Sequence, residues 1–477
     1  MVTWAAVALD PDWQICFHIE GGLGVRDGNG RSPSIMLSII NSKAAAADVG
    51  SEAIYVSIAG RAPRKFGTLT RDLEELRDYL SSEGVNAFAM EFTGVYWIPL
   101  YEILEKTPIK LCLVNGAHVK RLPGRKTDVS DCQWMAELHA HGLLKPGFVP
   151  GPEIRRLRDY CRLRDGHIAR AASHVLQMEK ALDLMNIKIH DVLSDLVGVS
   201  GQRMVQAILQ GERNTERLLE LCDRTVLQKK RQRLCDALQG TWATQHLFAL
   251  QQAWDAWRFF QQQIEQCDGQ IRVVLEEMAR QSSPTPPERG EDGGKPPKRP
   301  SKNAPKIADL HGTLLTVLGG RNPGCLPGLT DYTVLQLVSE VGTDLSAFPT
   351  EKHFTSWLGL APGTNNSGKR HRRKSRKGGR AGQLFRNVAQ TVGRSTTMGL
   401  GLFYRRIRSL RGGLVASKAL GRKLAELYYR VMTKGMRFVE EGLAKAEKRQ
   451  EAILRQRLER NATRLGYKLG PARPIAV

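Results

Sequence analysis

Paired cysteines are missing from this 477-residue chain: its eight cysteines are scattered between Cys16 and Cys325, with no CxxC spacing. That excludes a zinc ribbon or a disulfide scaffold and fits a reducing compartment. No apolar run approaches the ~20 residues that cross a bilayer, so no membrane partner is expected. The opening MVTWAAVALDPDW lacks a basic n-region and meets Asp10 after a short apolar stretch, which makes it a poor secretion signal. Acids are scarce beside bases: 48 Asp and Glu against 71 Lys and Arg leave a net charge of +23. Such a surplus points to a polyanionic partner, nucleic acid ahead of membrane, and to a cytoplasmic, nucleoid-associated protein. What is present is enough apolar residue, 41%, to bury real cores. The length allows two to four domains at ~100–200 residues each.

Residues 1–43 carry no clear period, and GGLGVRDGNGRSPS (21–34) is turn-rich. They read either as a flexible extension or as non-native sequence from an early start, with Met36 as a later one. From Ala44 the pattern changes to an α/β layer domain over 44–150. AAAADVGS and AIYVSIAG (53–60) read as a hairpin, and KFGTLT (65–70) as a third strand. TRDLEELRDYLSSEG reads as a helix with Thr70 as its N-cap, Leu73, Leu76 and Leu80 on one face, and Gly84 past its end. VNAFAMEF (85–92) and IKLCLVN (109–115) read as buried strands, GVYWIPLYEILEK as a helix, and a further helix begins near Thr127.

Residues 151–280 hold no convincing strand. Leu247, Leu250, Trp254, Trp257, Ile264, Ile271, Leu275 and Met278 follow 3–4 spacing, with polar Gln261 and Asp268 in the same seam. This is either a long helical hairpin or coiled coil, or a buried bundle helix. Residues 281–305 contain seven prolines and three glycines and read as a linker. A compact helical domain over 306–440 and a basic helical tail over 441–477 complete the chain.

Three places in the first domain offer carboxylates to chemistry. Asp48 closes the first strand, Glu91 closes a later one, and Asp128 and Asp131 lie three apart on one helical face. Singly, each has an ordinary reading as a turn or capping residue. Gathered together they would repel, and Mg²⁺ or Mn²⁺ would neutralise them and serve phosphoryl transfer. The order strand-Asp, strand-Glu, helix-DxxD is more specific than its parts and favours an RNase H/RuvC-like nuclease layout.

No Asp or Glu occurs from His353 to Ala425, a stretch with seventeen Lys and Arg. Eight of these crowd into residues 367–380: Lys369, Arg370, Arg372, Arg373, Lys374, Arg376, Lys377 and Arg380. Neutralisation of a phosphate backbone accounts for such a segment and predicts binding that weakens with salt. Lys126, beside the acidic helix, joins them as a candidate contact. Upstream, CLPGLTDYTVLQLVSEVG (325–342) has a Pro-Gly turn between apolar stretches, which reads as a helix-hairpin-helix or as a plain helical turn. Ser367 stands in NNSGKR, where nearby cations would stabilise charge on an attacked phosphate. No His–Asp partner can be assigned to it, and on these residues alone the reading is weak.

Taken together, ADVGSE, FGTLTRDLEEL, MEFTGVYWIPLYEIL, RKTDVSDCQWMAEL, LPGLTDYTVLQLVSEVG and WLGLAPGTNNSGKR resemble the DEDD transposase family of insertion sequences. The match runs in order from Ala44 to about Gly435. The resemblance implies a RuvC-like domain, a coiled-coil region and a mainly α C-terminal transposase domain. It also implies an acidic tetrad of Asp48, Glu91, Asp128 and Asp131 that binds Mg²⁺ or Mn²⁺, and Ser367 as a nucleophile that holds the cut strand as a phosphoserine ester. The implied partners are DNA at the element ends and target, a noncoding bridge RNA, and further copies of the chain in dimers that assemble to tetramers. The sequence departs from the family in residues 1–43, in Cys132 where alanine is usual, in a longer linker, and in NNSGKR where Gly-Gly follows the serine. A junction-resolving nuclease that uses metal-bound water, and a nucleic-acid-binding scaffold without activity, are the competing readings.

Overall fold

Small side chains start the sheet. β1 (Ala44–Val49) is four alanines followed by Asp48 and Val49, and the alanines are fully buried. In this computed structural model, the structure describes residues 38–91, 94–114, 116, 128–282, 301–362, 378–395, 399–435, 452, 455–468 and 470, with 128–130 described for the backbone only. β1 pairs antiparallel with β2 (Ile54–Ile58), which pairs antiparallel with β3 (Arg64–Phe66). On its other side β1 pairs in parallel with β4 (Ala87–Glu91), and β4 with β5 (Lys110–Val114). The sheet order is therefore β3-β2-β1-β4-β5. A parallel pair needs a crossover, and α1 (Thr70–Ser82) and α2 (Trp97–Leu104) lie in the two crossovers.

Strand alternation sorts the side chains onto two faces. Ala45, Ala47, Ile54, Val56, Phe88 and Met90 face one way, into a core with Leu73, Leu76 and Leu80 of α1 and Leu100 and Leu104 of α2. Ala46, Ala89, Cys112 and Val114 face the other way, against Met135, Ala136 and Leu138 of α3 (Asp128–Ala140). This mixed α/β layer is compatible with the RuvC-like reading. Two boundaries differ from expectation. The N-cap of α1 is Leu69 and not Thr70, because the Asp72 carboxylate reaches back to accept from the Leu69 N–H at 3.1 Å. β3 ends at Phe66, so only the start of KFGTLT is strand. Gly84 follows the helix at φ +67°, the left-handed stop its position predicts.

The chain divides into two compact units, 1–149 and 150–477. The second is helical throughout its described elements. α4 (Pro152–Leu184) and α9 (Thr244–Gln281) run antiparallel, as the pairs Arg156–Glu277, Arg164–Asp268 and His174–Phe260 show by their opposed numbering. Between them in sequence come α5 (Ile189–Val192), α6 (Val199–Leu209), α7 (Thr215–Glu220) and α8 (Arg224–Ala237), which share a core with the two long helices. The 3–4 seam of α9 is buried as the spacing predicts, Asp268 included. Asp268 accepts from Arg164 Nε at 2.5 Å and from the Lys306 backbone N–H at 2.9 Å. Arg164 also donates to the Asn303 carbonyl. The end of the expected 281–305 linker, Ser301 onward, is therefore docked on the helix pair; residues 283–300 lie outside the described residues.

Next come α10 (Leu310–Val317), a 3-10 turn (Pro323–Cys325), α11 (Asp331–Val341), α12 (Glu351–Trp357), α13 (Arg380–Gly393), α14 (Gly399–Arg411) and α15 (Gly413–Lys434). Thr330 and Thr350 cap α11 and α12 through their hydroxyls. At the Pro-Gly turn, Gly328 (φ +77°) packs against Val388 and Val392 of α13. The N–H groups of Cys325, Leu326 and Leu329 bond to backbone carbonyls there. Phe354, Phe385 and Tyr428, all fully buried, stack at the centre of this C-terminal part.

Candidate functional site

The sheet register determines where the acids go. Ala47 pairs with Met90, so Asp48 and Glu91 are the next residues on neighbouring parallel strands, at the ends where both strands stop. By alternation Asp48 shares a face with Ala46, and Glu91 with Ala89, and that is the face covered by α3. α3 starts at Asp128 and carries Asp131 one turn later, with Asp131 half-buried. The arrangement is tight around Glu91: Gly116 lies directly against its carboxylate, where any side chain would collide.

Cys132 reports the local field. It is buried in α3, and its thiol is pushed up to about 11, first by burial and then by the negative charges of Asp48 and Asp131. Burial likewise pushes Cys112, on the same sheet face, up to about 11. Both thiols therefore stay protonated at neutral pH and are poor metal ligands. The donors that remain are carboxylate oxygens, which suit a hard cation. Among the described residues, no three His, Cys, Asp or Glu side chains stand together as a closed metal site. The side chain of Asp128 and the whole of Lys126 lie outside those residues.

The basic segment divides differently. Ser367, Lys369, Arg370, Arg372, Arg373, Lys374, Arg376 and Lys377 lie outside the described residues. What flanks them is described. Gly378 and Gly382 both pack against the carbonyl oxygen of Leu358, so the stretch from Leu358 to Gly382 leaves and returns at one point. Arg380 opens α13 and is engaged by acids: its Nη2 donates to Asp165 at 2.7 Å, and its Nε lies 3.8 Å from Glu340. Glu340 is itself held by a two-pronged bond from Arg162 at 2.9 and 2.8 Å. Tyr332 donates to the other oxygen of Asp165 at 3.0 Å. Sequence reasoning placed Arg380 among the phosphate contacts and left Asp165 and Glu340 unmarked. Asp165 lies 215 residues away in the chain, beyond the reach of any local pattern.

No described helix is long and apolar enough to cross a membrane. Comparison with known families gives two matches, in order along the chain. Residues 46–187 match a transposase model of the IS110 DEDD type, and residues 325–397 match the transposase IS116/IS110/IS902 family. No curated protein matches the chain. The first match contains Asp48, Glu91, Asp128 and Asp131, and the second contains Ser367. Two halves of one family signature on a single chain, the first over a sheet whose carboxylates end adjacent strands, identify it as a member of the IS110-type DEDD transposases, enzymes that act on DNA to move insertion sequences.

Proposed function

We propose that this transposase cuts and rejoins DNA through a phosphoserine ester on Ser367, with Asp48, Glu91, Asp128 and Asp131 as its acidic site. The observation that carries the reading is the placement of Asp48 and Glu91 at the ends of neighbouring parallel strands, on the face beneath α3. Four carboxylates there fit Mg²⁺ or Mn²⁺ by donor chemistry alone. A bound divalent ion supplies charge neutralisation at the phosphate.

The remaining chemistry belongs to the chain. Ser367 Oγ attacks phosphorus, an O–P bond to the enzyme forms, and the P–O bond to the departing strand breaks. The serine gives up its hydroxyl proton and the departing sugar oxygen takes one up, so no net proton is consumed. The ester conserves the bond energy, and a hydroxyl of the partner strand reverses the step to rejoin. The cations of 367–380 hold the strand by its phosphates. A noncoding bridge RNA as guide, and assembly from dimer to tetramer, complete the reading through the family resemblance.

The test is a suicide DNA substrate run with the full chain on a denaturing gel. A protein–DNA adduct is expected for the wild type and none for Ser367→Ala. Cleavage that persists in Ser367→Ala would favour hydrolysis by a junction-resolving nuclease.

A further inference from the structure

Two cations on the helices after the serine-bearing segment stand apart from the acid pairing around them. Arg380, Arg422 and Arg430 each hold a carboxylate. Arg386, in the middle of α13, does not: among the described residues no carboxylate pairs with it, and its Nε is buried without a hydrogen-bond partner. A buried donor left unmade is costly, so its retention asks for an occupant.

The surroundings place that occupant. The Arg386 guanidinium lies over Gly378, with Nη2 3.6 Å from where a Cβ would stand. Gly378 comes eleven residues after Ser367. α15 crosses at the same level, because Gly421 lets it approach the backbone of Phe385 and Arg386; a Cβ there would be 3.2–3.4 Å from them. Lys418 lies one turn before Gly421 on the same helix and is half-buried. Burial and the Arg386 charge lower its ammonium pKa, in that order. Two like charges are thus drawn together away from water, in a stretch of chain, 353–425, that has no acid of its own.

We propose that Arg386 and Lys418 form a phosphodiester-binding site that holds a nucleic-acid strand beside the end of the serine-bearing segment. The guanidinium offers a planar fork to two phosphate oxygens, and the ammonium offers a point charge. The inference deepens the proposed strand exchange and rests on it for what the strand is held for.

The test is salt-dependent binding of two single-stranded oligonucleotides of one sequence, one DNA and one RNA, to the full chain. Wild type is compared with Arg386→Gln, Lys418→Gln and the double variant. Each lost phosphate contact makes the slope of log affinity against log salt shallower by about 0.7 on a single strand. The double variant is therefore expected about 1.4 shallower, and roughly tenfold weaker at 0.15 M salt. A loss with DNA alone or RNA alone identifies the strand, and either supports the site. Unchanged slope and affinity with both overturns it.

Arg386→Gln removes an orphaned N–H, so its melting temperature is expected to hold or rise. Should that variant fail to fold, Lys418 decides: Lys418→Gln must lower the slope and Lys418→Arg must not. Binding is read without cleavage. Failure of the serine chemistry therefore leaves this result standing, and failure here leaves that chemistry untouched.

Discussion

Replacing Asp268 by alanine is the sharpest perturbation of the helical unit. Arg164 is only 2% exposed and meets the Asp268 carboxylate, itself 5% exposed, at 2.5 Å. The second carboxylate oxygen takes the Lys306 N–H, and Arg164 reaches on to the Asn303 carbonyl and the Tyr332 hydroxyl at 2.9 and 3.1 Å. Removing the acid leaves a guanidinium uncompensated inside the protein, at a cost of about 3–5 kcal/mol. It also frees one backbone N–H, a loss of about 1–3 kcal/mol that overlaps the first. A destabilisation of at least about 3 kcal/mol is expected. Replacing both partners, as Arg164→Met with Asp268→Leu, removes the stranded charge and should cost less than either single change. A chain of two units does not melt as one transition, so native-state hydrogen exchange at the buried amides of α4 and α9 is the suitable assay. The Lys306 amide should lose protection first. A loss below about 1 kcal/mol for Asp268→Ala, or a double variant worse than both singles, would refute the reasoning.

Three further outcomes follow from other parts of the chain. A side chain at Gly382 meets the Leu358 carbonyl, so Gly382→Ala should cost about 1–3 kcal/mol, read as lost exchange protection in α13. Burial holds the His139 imidazole below its ordinary 6.5; the unfolded chain then takes up the proton first, so stability is full above about pH 6.5 and declines as pH falls towards the folded value. His139→Asn, which can still donate to the Ala45 carbonyl, should remove that share of the decline in melting curves taken between pH 7.5 and 5. Asp48→Asn and Glu91→Gln should each weaken Mn²⁺ binding by more than about tenfold, since even indirect supports of a metal site cost that much. Electron paramagnetic resonance titration of free Mn²⁺ measures it, and unchanged binding in both would remove these residues from the metal site.

The parts of the fold that sequence could show are those written in local period. The Leu73, Leu76 and Leu80 stripe, the alternating strands and the α9 seam all repeat within a few residues, and each is buried where its period puts it. The shared face of Asp48 and Glu91 was legible for the same reason, since alternation needs only the strand ends. Partners far apart in sequence were not legible. Asp268 stood out as a polar residue in an apolar seam, but Arg164, 104 residues earlier, did not. The docking of Ser301–Lys306 was hidden because proline and glycine content describes a backbone and not what its carbonyls accept from. The cap of α1 went to Leu69 because a carboxylate at Asp72 can serve an N–H that Thr70 was expected to serve. Arg380 read as one more cation in a basic run until Asp165 and Glu340 were seen beside it.

The central claim is that the acidic site and Ser367 act on the same phosphodiester. Peptide mapping of the trapped protein–DNA adduct by mass spectrometry, repeated with Asp48→Asn, tests it most directly. The account predicts nucleotide mass on the peptide containing Ser367, lost in Asp48→Asn while that variant still binds DNA. An adduct on another residue, or one formed undiminished without the Asp48 carboxylate, would contradict it.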